Sequence, residues 1–529
     1  MAGDTASKHI WSDVDFDVVI VGSGPAGSTY ARMIADNAPH ARVLLVEAGP
    51  AITTPAGQHS STIADRTKLA HAKAMSQGPF HGNNGSAQTA DRDHEPAVER
   101  GGGLFLLSDG HAQTREFPAA SASSNVGGMG SHWFCCCPPP GGSEIIGCIQ
   151  PARLTRAFAD ANRLLDVAAD RFDSPAARYL QARLGSSFNA GRPPDRVVQP
   201  MPFAGSRRNG KAMLHGPAVI LGNIFARPEG DITLLTKTRA RRILVENGSA
   251  QGVELQDLDS GETLTLRAKW VVVAADALRT PQLLFASGIR PPALGRYLNE
   301  HAMVVTMFEL TGSELAPSPS REAGITGPGG LFASAANGVT WIPPLDEDFP
   351  CSIQSFEVDV NSLSPEQRAA TTGGPIFAAG GFVAKDIRAE DRIEFSDSET
   401  DWAGLPKISI RYGLTAKDRS RIAATQAALA KIASMGKPLF EEPQLLPAGS
   451  SLHYQGTYRL GAQDDGSSVC GPTCRVWGVK NLFLGGNGLI PTETACNPTL
   501  TSVALATIGA EQIIQHLSAA AALDDAYAE

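Results

Sequence analysis

Residues 16–47 read FDVVIVGSGPAGSTYARMIADNAPHARVLLVE, and this stretch decides the fold. Residues 16–21 form an apolar, β-branched run of the kind buried on both faces of a parallel sheet. The run enters Gly22-Ser23-Gly24-Pro25-Ala26-Gly27, then a helix-like stretch over 28–36, then a second buried strand that ends at Glu47. Strand, glycine turn, helix, strand, acid is the order of a dinucleotide-binding unit. Gly22 permits the tight turn, Gly24 lets backbone approach a pyrophosphate, and Gly27 lets the helix pack close to the strand. Glu47 follows Gly27 by 20 residues, the spacing of an acid that takes a ribose hydroxyl pair. The pattern serves nicotinamide and flavin dinucleotides alike and does not choose between them.

Working outward, the chain has 529 residues, 42% hydrophobic and 19% charged, which is too apolar for global disorder and large enough for several compact units. Its 54 Gly and 36 Pro predict many long loops. The net charge of −9, with no basic domain, argues against a nucleic-acid binder. No apolar run reaches the roughly 18 residues of a membrane span. The N-terminus lacks a hydrophobic signal core, and the eight cysteines follow no disulfide pattern, so a soluble, cytoplasmic protein is expected. Cys135, Cys136 and Cys137 are adjacent and cannot converge tetrahedrally on one ion; Cys470 and Cys474 lack a partner pair. No metal site is expected, and no G-x-S-x-G nucleophile turn is present.

Further elements recur along the chain. Residues 270–274 (WVVVA) read as another buried strand after a hairpin-like stretch over 242–255, and Pro281 reads as the start of a helix leaving the sheet. Leu154, Phe158, Ala161, Leu165 and Ala168 recur at helical spacing, 392–411 reads as a hairpin, and 417–435 as a helix. Residues 48–103 and 314–330 read as long loops, of the kind that form lids or cofactor wraps.

Four runs carry a resemblance: NVGGMGSHW (125–133), LHYQGTYRLG (452–461), NLFLGGNGLIPT (481–492) and NPTLT (497–501). Together they are similar to the glucose–methanol–choline (GMC) oxidoreductase family, and most similar to its pyranose oxidase branch. The match runs with gaps, in the right order, over nearly the whole chain. The resemblance implies FAD and a mixed α/β fold. A Rossmann-like FAD-binding domain would comprise 14–140, 226–300 and 452–518, and a substrate domain on an antiparallel sheet 141–225 and 301–451, with flexible termini at 1–13 and 519–529. The implied reaction oxidises a ring hydroxyl, at C2 or C3 of a pyranose sugar or glycoside, to a keto-sugar. Hydride would pass to flavin N5 and O2 would re-oxidise the flavin, giving H2O2. A dehydrogenase using a quinone or other carrier, and a non-redox lyase that retains FAD, stay open. Neither a nucleic-acid nor a membrane partner is implied.

Such chemistry needs a base for the hydroxyl proton and a group that positions the alcohol. The resemblance places His453 as base and Asn497 as the second catalytic residue. An ordinary histidine pKa of about 6.5 predicts a reduction rate that rises near neutral pH. Asn497-Pro498-Thr499 also reads locally as an N-cap with Pro at the first helical position, the helix end facing the flavin. Gly128, Met129, Gly130, Ser131, His132, Trp133, Phe134, Asn487, Pro498 and Thr499 match cofactor-binding positions. In the pyranose oxidase branch the histidine matching His132 is bonded covalently to the flavin, though noncovalent relatives exist, so both states stay open. Phe134 stands where the family usually has threonine, which predicts altered substrate shape and oxygen reactivity. Gln354 and Glu357 fall in an expected substrate loop over 350–376 and are candidate sugar-hydroxyl partners. His301 reads as structural.

Overall fold

The computed structural model describes residues 15–76, 105–106, 116–208, 211–228, 230–311, 337–401 and 404–528. The readings of 1–13, of 314–330 and of the later part of 48–103 lie outside the described residues. Two sheets organise the rest. The first contains β1 (Asp15–Val21), β2 (Arg42–Val46), β3 (Asp231–Leu235), β4 (Thr238–Glu246), β5 (Ser249–Asp257) and β6 (Thr263–Val273), in the order β4-β5-β6-β1-β2-β3. β1 is central and parallel to both neighbours, with Val18 opposite Trp270 on one side and Val43 on the other. One edge of β6 serves two partners: its first half pairs antiparallel with β5, and Val271–Val273 pair in parallel with the short strand Leu482–Leu484. The first and last quarters of the chain are thereby joined in one sheet.

The second sheet is antiparallel and contains β7 (Ala302–Glu309), β8 (Val339–Ile342), β9 (Cys351–Val358) and β10 (Ile376–Val383), ordered β7-β10-β9-β8. All residues of β9 and β10 are buried. This overturns the loop expected from residue 350 onward, whose first part is a central strand. Strands buried on both faces lose the alternation that reveals a half-exposed strand. Here Ser352, Gln354, Ser355 and Glu357 add polar residues that mimic a loop. The strands of the first sheet fall within 14–140, 226–300 and 452–518, and β7–β10 within 301–451.

Four helices position the site: α1 (Pro25–Asn37), α2 (Asp276–Ala286), α3 (Ala416–Ala433) and α4 (Thr499–Ala528). α3 packs on β7 and β10. α4 packs on α1 at Gly509, where a Cβ would lie 1.7 Å from the Tyr30 hydroxyl. That hydroxyl donates to the Leu484 carbonyl at 2.9 Å, tying both helices to the Leu482–Leu484 strand. α4 runs on to Ala528, past the boundary expected at 518.

Two local readings are corrected. Pro281 does not start a helix; it lies inside α2. Its missing N–H would have bonded the Ala277 carbonyl, and the Thr457 hydroxyl donates to that carbonyl instead. Within the expected loop 48–103, Arg66–Met75 is a helix, capped by the Asp65 carboxylate, which accepts from the Lys68 N–H at 2.8 Å. Among the described residues no helix is long and apolar enough to cross a membrane.

Candidate active site

The glycine turn leaves β1 with Gly22 at φ +99°, where a Cβ would sit 2.3 Å from the Ala274 carbonyl oxygen. A Cβ on Gly27 would sit 1.8 Å from the Gly22 oxygen, so the helix can begin this close only without a side chain. Gly24 differs: its Cβ would meet nothing nearer than the Gly127 oxygen at 4.0 Å, and it lines an open cavity. Glu47 also lines this cavity, but its carboxylate braces the turn as well. One oxygen accepts from Ser23 N at 3.1 Å and Ser23 Oγ at 2.7 Å, the other from Gly49 N at 3.0 Å. Burial pushes its pKa up from the ordinary carboxylate range.

The segment after Asn125 docks on the same turn, with Gly127 N donating to Ser23 Oγ at 3.0 Å. Gly130 lies between Pro217 and Pro25, where a Cβ would come within 2.7 and 2.8 Å of their rings. A single 3-10 turn, Gly128–Ser131, then sets Gly128, Met129, Gly130, His132, Trp133 and Phe134 along the cavity. Ser131 instead donates to the Val126 carbonyl at 3.1 Å. His132 Nε2 lies 3.2 Å from Asn125 Oδ1, while its Nδ1 is buried with no hydrogen-bond partner. Burial lowers the His132 pKa to about 3, so the ring is neutral. The Phe134 ring packs against Phe356 of β9 at 4.9 Å.

His453 follows Leu452, whose φ is +61°. The buried Glu300 carboxylate holds this bend, accepting from Ser451 Oγ at 2.9 Å and Leu452 N at 3.2 Å. Asn299 and Gln455 exchange backbone hydrogen bonds beside it, at 2.9 and 2.8 Å. The ring of His453 opens on the cavity, yet its surroundings are dense enough that burial lowers its pKa to about 3. The neutral-range titration expected from sequence is therefore replaced by one far on the acid side. His301, read as structural, lies behind the cavity wall and touches the candidate base: its Nδ1 is 2.9 Å from His453 Nδ1.

Asn497 Nδ2 lies 3.4 Å from His453 Nε2, and Asn497 Oδ1 accepts from Gln354 Nε2. The local cap reading is overturned: α4 starts at Thr499, and the Pro498 carbonyl accepts from Ser502 N at 2.8 Å, which puts Pro498 at the cap and Asn497 before it. Asn487 and Thr499 line the cavity with Asn497. Gln354 and Phe356 also line it, on one face of β9. Glu357 is a correction: strand alternation turns it to the other face, where it accepts from Asn337 Nδ2 at 3.3 Å.

One cavity of about 420 Å³ runs from the glycine turn past His132 to His453 and Asn497. Among the described residues no group of three or more His, Cys, Asp or Glu could hold a metal ion. Cys135, Cys136 and Cys137 are buried free thiols whose pKa values burial pushes up, and Cys470 and Cys474 are the same.

Two family models, both described as GMC oxidoreductase, match residues 226–303 and 388–506. A C-glycoside 3-oxidase from Microbacterium trichothecenolyticum is 42% identical over 514 residues, covering 95% of this chain and 97% of that one. The chain belongs to the GMC oxidoreductase family. A pyranose 2-oxidase from Tricholoma matsutake is 28% identical over 544 residues, covering 95% and 94%. Pyridoxine 4-oxidase from Mesorbium loti shares the fold, with a TM-score of 0.60 at 20% identity and coverage of 94% and 99%. GMC oxidoreductases bind FAD, and the cavity of this family member suits that group. It has backbone and a carboxylate at one end, apolar walls in the middle, a side-chain-free approach at Gly24 and a neutral histidine at the far end. Besides His301, sequence reasoning missed Met303 and Phe382 on the cavity wall. Both sit in runs whose pattern is that of an ordinary core strand, so no local signal sets them apart.

Proposed function

We propose that this GMC oxidoreductase oxidises a secondary ring hydroxyl of a pyranose glycoside to a ketone, with O2 as final acceptor and H2O2 as product. The observation that carries the reading is the facing pair of His453 Nε2 and Asn497 Nδ2, 3.4 Å apart on the wall of the cavity that begins at the glycine turn. Position C3 is preferred over C2, because the relative named C-glycoside 3-oxidase is far more similar than the pyranose 2-oxidase. Bound FAD would supply the hydride acceptor.

The chain's own residues do the rest. Gly22, Gly24, Gly27 and Glu47 would hold the dinucleotide; Gly128, Met129, Gly130, Trp133, Asn487 and Thr499 would line its path. His453 takes the hydroxyl proton, and its neutral state leaves it free to do so without first losing a proton. Asn497 donates toward the same oxygen, held in that orientation by Gln354. Phe134 and Phe356, whose rings pack together, wall the sugar side of the cavity. The unpartnered Nδ1 of His132 makes this residue the candidate covalent attachment point. Colour retained in an acid-precipitated pellet supports attachment, and colour released to the supernatant overturns it.

The test of the reaction is anaerobic mixing with aryl C-glucosides, O-glucosides and free glucose, then admission of air. Flavin bleaching, recovery with stoichiometric peroxide, and a 3-keto product by NMR are expected. Bleaching that recovers only with a quinone would replace the oxidase reading with a dehydrogenase.

A further inference from the structure

We propose that His301 is a positioning residue that fixes the proton of His453 on Nδ1 and so leaves Nε2 bare toward the cavity. The inference rests on the reading of His453 as base. Two imidazole nitrogens 2.9 Å apart must share one proton between a donor and an acceptor, and the contact alone does not say which ring donates. The far side of His301 does. Its Nε2 lies 3.0 Å from Thr494 Oγ1, and Thr494 gives its one hydroxyl proton to Gln455 Oε1, also at 3.0 Å. The hydroxyl therefore turns a lone pair to His301 and calls for a proton on its Nε2, with one mismatched contact: Gln455 Nε2, 3.2 Å away, faces that nitrogen donor to donor. A neutral ring protonated there accepts at Nδ1, so His453 Nδ1 donates.

The other end of the chain gives the same answer independently. Gln354 Nε2 donates to Asn497 Oδ1, which turns the Asn497 amide N–H groups to His453 Nε2. Only a bare Nε2 can accept from them. In the opposite assignment Gln455 Nε2 would donate to a bare His301 Nε2, the Thr494 lone pair would face that nitrogen's own lone pair, and His301 Nδ1 would donate to His453 Nδ1. His453 Nε2–H would then face Asn497 N–H, donor against donor. The opposite assignment thus leaves two mismatched contacts, at Thr494 and at Asn497, against the single one at Gln455 in the assignment proposed.

The arrangement does for His453 what a carboxylate does for the histidine of a hydrolase triad, but with a neutral acceptor. When Nε2 takes the substrate proton, the N–H on the opposite side of the ring already has its partner, so nothing need reorganise.

The test uses flavin-loaded, full-length enzyme labelled with 15N-histidine. Two-bond proton–nitrogen correlation spectra, with His453 assigned by its loss in His453→Ala, should show a protonated Nδ1 and a bare Nε2. His301→Leu should mix the two His453 tautomers and slow anaerobic reduction by an aryl C-glucoside by roughly 10²-fold, with little change in the half-saturating concentration. His301→Asn, whose Oδ1 can stand where Nδ1 stood, should recover most of that loss. Thr494→Val, a near-isosteric change, should mix the tautomers without moving the flavin spectrum, and it stands in if His301→Leu does not fold. A wild-type His453 protonated on Nε2 overturns the proposal. So do His301 and Thr494 variants that keep the wild-type tautomer and rate while His453→Ala is slow. If His453→Ala itself reduces at the normal rate, the reading of His453 as base falls first.

Discussion

Gln354 Nε2 donates to Asn497 Oδ1, joining the middle of β9 to a residue two positions before α4. One amide–amide hydrogen bond thus links the sheet on the sugar side to the helix that leaves the nucleotide-binding sheet. It also decides which end of the Asn497 amide meets His453.

Replacing Gln354 with Leu should release that amide. A net worth of about 0.5–1.5 kcal/mol for one such bond predicts flavin reduction slowed by up to roughly tenfold, with flavin content unchanged. In an Asn497→Ala background the same change should add little, because the partner is gone. Equal effects in both backgrounds, by stopped-flow reduction, would assign Gln354 some other role.

His453→Ala should slow reduction by about 10²–10⁴-fold in protein that folds and binds flavin normally. The pH profile of the wild type is the sharper measurement. With its pKa lowered to about 3, His453 gains a proton only as pH falls toward that value. The reduction rate constant should therefore stay level across the neutral range. A limb near pH 6.5 that vanishes in His453→Ala would contradict the burial seen here.

Buried histidines also set acid stability. His59 is lowered to about 4, His132 and His453 to about 3, and His301 in the same direction, in each case chiefly by burial. Unfolded histidines take a proton below about pH 6.5, and these folded ones refuse it. Their contribution is complete above that pH and is lost as pH falls toward 3–4, at about 1.4 kcal/mol per unit per histidine. Urea midpoints should drop steeply from pH 7 to 5. A flat profile would show that these rings are reached by water.

Gly24→Ala and Gly27→Ala should separate binding from folding. The Gly24 Cβ enters open cavity, so that variant should fold with a near-normal apo unfolding midpoint yet retain little flavin. The Gly27 Cβ collides with backbone and should lower both. Flavin-to-protein absorbance ratios and thermal midpoints measure the two effects. Full flavin in Gly24→Ala would remove Gly24 from the dinucleotide path.

Thr457→Val should leave the Ala277 carbonyl unpaired and cost about 1–3 kcal/mol. Pro281→Ala, added on top, supplies the missing helix N–H and should restore much of it. Denaturant unfolding of the single and double variants measures the coupling.

The same pair shows where sequence stops being legible. β1, the glycine turn, α1 and β2 could be read directly because period, glycine placement and the acid at Glu47 all lie within one short stretch. Pro281 inside a helix could not, since the hydroxyl that compensates it comes from Thr457, far along the chain. Asn497-Pro498 carries a true local capping signal, outweighed by Gln354 and His453. Gln354 and Glu357 looked equivalent until the register of β9 sent them to opposite faces. His301 gave no sign of its partner, because its place is fixed by the backbone pairing of Asn299 with Gln455.

The buried cysteines have a consequence for the working life of the molecule. Under the proposed chemistry every turnover releases peroxide inside the protein, and peroxide attacks thiolates far faster than thiols. Burial holds Cys135, Cys136 and Cys137 protonated, and Cys148, the one cysteine not fully buried, is also shifted upward. Thioethers have no such protection, since their oxidation needs no ionisation. Met129 and Met303 line the cavity itself. Ageing through self-inflicted oxidation should begin at these two sulfurs, turning apolar wall into polar sulfoxide beside the reacting sugar while the thiols stay intact.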